Sequence, residues 1–102
     1  MKRIEKHELE TFLNNCIDCA RRSRIGDEER ATVDYCTYAV VTEDGIYGFH
    51  GLEKRGDESF ANVQDFCKGR HDIVEVLNLQ ELDYNYKTPR FSRLSLYEYQ
   101  PL

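Results

Sequence analysis

A chain of 102 residues with 40% apolar, 12% aromatic and 32% charged side chains has the size of one domain, residues 1–102, with no room for a separate cofactor-binding unit. Nineteen acidic against fourteen basic residues leave a net charge of −5, which opposes non-specific nucleic-acid binding because displacing phosphate counterions requires a basic surface. No apolar run approaches the roughly 18 residues of a membrane span, and none follows the charged start Met1-Lys2-Arg3, so a cytoplasmic protein with no membrane partner is expected.

From about residue 6, Leu9, Phe12, Leu13, Cys16, Ile17 and Ala20 fall on one helical arc, with Glu10, Asn14, Asn15, Asp18 and Arg21 opposite. Arg21, Arg22 and Arg24 in the last turn offset the negative end of the helix dipole, and Gly26 can end the helix. Residues 32–42 are rich in β-branched and aromatic types, and Asp44-Gly45 signals a hairpin turn into a second strand, residues 46–50. A two-residue turn there sets Tyr47 opposite Thr42 and Phe49 opposite Val40. Cys36, Tyr38, Val40, Tyr47 and Phe49 then share one face.

Asp57 is a candidate cap for a second helix that carries Phe60, Val63 and Cys67 on one stripe and closes at Gly69. Residues 73–79 read as a mostly buried strand, and residues 90–100, starting after Pro89, alternate as a last one. The expected fold is α+β, with two helices packed on one face of a four-stranded, mainly antiparallel sheet in the order α-β-β-α-β-β.

Two helices on one face leave the other face bare. With Leu94 and Leu96 turned towards the helices, alternation points Phe91, Arg93, Ser95, Tyr97 and Tyr99 away, joined by Val74, Val76, Tyr35, Ala39, Val41 and His50. So large an apolar patch predicts a binding partner, and Tyr and Arg are the types that most often anchor interfaces. The functional expectation is therefore a non-enzymatic binding protein: an inhibitor, regulator or adaptor docking a protein partner or a second copy of itself. The expected contacts are Tyr35, His50, Arg90, Phe91, Arg93, Tyr97 and Tyr99.

Two alternatives come from other chemistry. The same aromatic face with Lys87, Arg90 and Arg93 nearby could stack single-stranded bases. Cys16, Cys19, Cys67 and His71 could supply four zinc ligands, or a Cys–His pair could act in catalysis. Cys16 and Cys67 lie on the apolar stripes of their helices, where a thiol acts as a small hydrophobe. No cysteine–histidine spacing singles out a nucleophile. No metal, cofactor or catalytic residue is therefore expected.

Overall fold

The computed structural model describes residues 2–24, 36–49 and 56–95. In chain order they form β1 (Lys2–Ile4), a 3-10 turn (Lys6–Glu8), α1 (Leu9–Arg24), β2 (Tyr38–Thr42), β3 (Ile46–Phe49), α2 (Gly56–Cys67), β4 (Ile73–Asp83) and β5 (Arg90–Arg93). The strands make one sheet in the order β1-β3-β2-β4-β5, with every neighbouring pair antiparallel. The α+β class holds, but the sheet has five strands rather than four. The added strand, β1, pairs Ile4 with Ile46 at one edge of the sheet.

The larger correction concerns the layers. Phe12 and Cys16 of α1 pack with Ala39, Val41, Ile46, Leu77 and Phe91. Phe60, Val63 and Cys67 of α2 pack with Tyr38, Val40, Phe49 and Val76. Successive strand residues point to opposite faces. The alternation of Tyr38 and Val40 against Ala39 and Val41 therefore puts the helices on opposite sides of the sheet. α1 lies over β4, and α2 lies over β2 and β3. The order is β-α-β-β-α-β-β in three layers, not two helices on one face. All five residues of β2 are buried.

This layering also corrects the expected bare face. Phe91 is 4% exposed and Val76 is 4% exposed, each beneath a different helix. Of the apolar strand residues expected to face outwards, Val74 does so, at 63% exposure. The β2–β4 register shifts there, from Val41 opposite Glu75 to Thr42 opposite Ile73, so Val74 has no cross-strand partner.

The hairpin register also differs. Thr42 and Gly45 close the turn: the Thr42 N–H donates to the Gly45 carbonyl at 2.8 Å, and the Gly45 N–H donates to Thr42 Oγ1 at 3.2 Å. The central pair is thus Glu43-Asp44 rather than Asp44-Gly45, and Val40 lies opposite Tyr47. A slip of two residues preserves the faces, so Tyr38, Val40, Tyr47 and Phe49 share one as expected. Cys36 does not join them. It precedes β2 and turns into the α1 side. After α2, Gly69 adopts φ +77°, a conformation that side-chain-bearing residues rarely take, and this turns the chain towards β4.

Candidate functional site

α1 packs chiefly over β4. Phe12 and Cys16 are buried, whereas Leu13 and Ile17, on the next row, stay half-buried. Between them and β5 lies a groove of about 290 Å³. Leu13, Ile17, Leu77 and Phe91 give it an apolar lining. Its charged residues are Glu10, Glu75, Arg90 and Arg93, with Thr88 and Pro89 at one end.

The groove brings together three of the seven residues expected to contact a partner. Arg90 and Arg93 are exposed, and Phe91 belongs to the lining rather than to an open face. Tyr35, His50, Tyr97 and Tyr99 lie outside the described residues. Leu13 and Ile17, which line the groove, are not among the residues the sequence singles out for partner contact. A helix carrying apolar residues at 12, 13, 16 and 17 has a stripe two residues wide, and that width was the available signal.

The charges of the groove are unequally satisfied. Arg93 Nε forms an ion pair with Glu75 Oε1. The Arg90 guanidinium lies 3.5 Å from the centre of the Tyr86 ring, a cation–π contact, and meets no carboxylate among the described residues. Beside the groove, β4 carries three more residues than β5 between the Asn78–Ser92 and Leu82–Phe91 pairs. The Asn78 side chain accepts the Gln80 N–H at 2.9 Å, satisfying one backbone donor within this irregular stretch.

The outer edge of β5 meets no strand among the described residues. The Leu94 N–H donates to the Val76 carbonyl at 2.8 Å. Antiparallel alternation then directs the backbone N–H and C=O of Arg93 away from β4, towards the open edge.

A second polar cluster sits at the β2–β3 turn. Arg70 Nε and Nη2 donate to the two Asp72 oxygens at 3.0 and 2.9 Å, and the guanidinium lies 4.4 Å from the centre of the Phe66 ring. Tyr47 Oη donates to Asp44 Oδ2 at 3.0 Å, and the Thr42 hydroxyl contacts Asp44 Oδ1. The Thr42 and Tyr47 hydroxyls hold the Asp44 carboxyl below its ordinary pKa, and the Arg70 guanidinium does the same for Asp72. Arg70 is itself stabilised in its charged form, chiefly by Asp72. Arg70 also pairs with Asp44 at 3.6 Å, which fastens the hairpin to the turn after α2.

Acid should loosen this fastening. A carboxyl whose folded pKa is depressed contributes stability above its unfolded value, near pKa 3.9 for Asp, and loses that contribution as pH falls through the folded value. The melting temperature is expected to fall below about pH 4. In Asp72→Asn it should be lower at pH 7 and decline less steeply with acid; equal slopes for the two proteins would exclude this role.

The four candidate zinc ligands are not brought together. Cys16 packs on the α1 side of the sheet and Cys67 on the α2 side, so Cys16, Cys19, Cys67 and His71 cannot surround one ion. Among the described residues no three His, Cys, Asp or Glu side chains are placed to hold a metal. None of the four cysteines is in a disulfide. Burial raises the Cys67 thiol pKa, which disfavours the thiolate a nucleophile needs.

Compared with protein-family models, curated proteins and solved structures, the chain matches none. Among the described residues no helix is long and apolar enough to cross a membrane.

Proposed function

We propose that this chain is a non-enzymatic protein-binding module, an inhibitor, regulator or adaptor, that docks its partner in the groove between α1 and β5. The observation that carries this reading is the half-buried Leu13 and Ile17 flanking Phe91 beside a strand edge that meets no other strand among the described residues. Interfaces are built from such apolar centres with polar rims, and Arg90 and Arg93 supply part of the rim. The partner meets the groove and the sheet edge, rather than the aromatic sheet face expected from alternation, because each face already carries a helix.

A photo-cross-linking residue in place of Asn14, at the groove, should yield a discrete protein adduct in the cells that make the chain. The same residue in place of exposed Asn62 on α2 should yield none. Identical adducts from both positions, or none from position 14, would reject this docking site. One observation favours single-stranded nucleic acid as a second reading: Tyr86, 50% exposed, stacks with Arg90 beside Lys87. The net charge of −5 opposes it. Nuclease-sensitive adducts from position 14 would favour that reading over the first.

A further inference from the structure

We infer that the partner presents an extended segment carrying an apolar side chain and a carboxylate, which adds to β5 as a sixth strand. This rests on the docking reading above and names the chemistry of the occupant. Three observations converge on it.

The first is the backbone. The Arg93 N–H and C=O point away from β4, to an edge that meets no strand among the described residues, where an added strand finds one donor and one acceptor already aligned. The second is the groove, whose lining by Leu13, Ile17 and Phe91 can receive an apolar side chain from the same strand. The third is charge. Glu75 pairs with Arg93, whereas Arg90 forms no ion pair among the described residues, and Asp83, opposite it in the β4–β5 register, accepts the Asn85 N–H instead. A carboxylate on the incoming segment completes that site.

Residues 89–95 carry no acidic side chain, so β5 of a second copy would bring no carboxylate to Arg90, whereas an acidic segment does.

Selection of a displayed random heptapeptide library against the full chain tests the inference, with affinities of the enriched synthetic peptides then measured by fluorescence polarisation. The enriched peptides should combine aliphatic or aromatic residues with Asp or Glu. N-methylation of their alternate amides should weaken binding about tenfold in one of the two phases and little in the other, since only alternate amides face β5. Arg90→Glu should weaken binding about tenfold or more.

Arg93→Pro removes the outward donor at an edge position that tolerates proline, and Arg93→Ala removes the same side chain while keeping the donor. Arg93→Pro should bind about tenfold more weakly than Arg93→Ala. Should Arg93→Pro fail to fold, peptide N-methylation carries the backbone test alone. No enrichment, enrichment of basic peptides, insensitivity to both N-methylation phases, or a dimer through β5 would each overturn the inference. A protein adduct from position 14 alongside failed peptide selection would leave the docking reading intact and remove strand addition. Loss of both results would remove both readings.

Discussion

Phe60→Ala is expected to destabilise the protein by about 3–5 kcal/mol, a large part of the roughly 5–15 kcal/mol that holds a domain folded. Phe60 is 1% exposed and projects from α2 into the sheet, where its ring meets Tyr38 edge-on at 5.3 Å between centroids. Val40, Val63, Cys67 and Val76 complete its surroundings. Truncation removes the hydrophobic transfer term and leaves a cavity that β2, buried on both faces, cannot collapse to fill. Urea denaturation with an unchanged m-value and a lowered midpoint would show this. A change under about 1 kcal/mol would mean that α2 does not pack as described.

Separate layers give that experiment a partner. Phe12→Leu on the α1 side and Phe60→Leu on the α2 side belong to different clusters, so their effects should add to within about 0.5 kcal/mol. A coupling well above that would favour both helices sharing one face.

Gly48→Ala is expected to cost about 1–3 kcal/mol although it adds a single methyl group. A Cβ at position 48 would stand 2.7 Å from Cys36 Sγ, closer than non-bonded atoms approach, and 3.7 Å from Phe12 Cζ. Gly48 lies mid-strand, opposite Ala39 on one side and Lys2 on the other, so the backbone has little room to retreat. Cys36 is 3% exposed and would have to move within a packed cluster. Cys36→Ala removes the obstructing sulfur. In that background Gly48→Ala should lose most of its cost, giving a favourable coupling of about 1 kcal/mol or more between the two changes. Thermal melts of the four proteins measure it, each kcal/mol shifting the midpoint by roughly 4–8 °C in a domain of this size. Additive losses would show that the sulfur is not the obstacle.

The same buried positions explain how far sequence patterns reach. The stripe of Leu9, Phe12, Leu13, Cys16 and Ile17 placed α1, and the run Phe60, Val63 and Cys67 with Gly69 placed α2, because helical periodicity is a local property. The faces shared by Tyr38, Val40, Tyr47 and Phe49 survived even a two-residue slip in register. β1 left no such mark: three residues with one apolar side chain, Ile4, cannot show a period.

Arg90 and Arg93 stood out as exposed cations in an alternating strand, and they do border the candidate groove. Phe91 was assigned to the wrong environment because alternation separates two faces without saying what lies on either. One cue was present in the unbroken apolar run of Tyr38, Ala39, Val40 and Val41, since a strand covered on both sides needs no polar alternation.

Local spacing thus established the two helices, the hairpin and which residues share a face. Three-dimensional packing alone decided that α1 and α2 occupy opposite sides, that Leu13 and Ile17 border a groove beside β5, and that the Arg93 backbone points away from β4. The physical reason is that an amphipathic stripe records how much surface a helix must bury and along which arc. It carries no label for the partner surface, and that choice is made by the whole chain closing around its sheet.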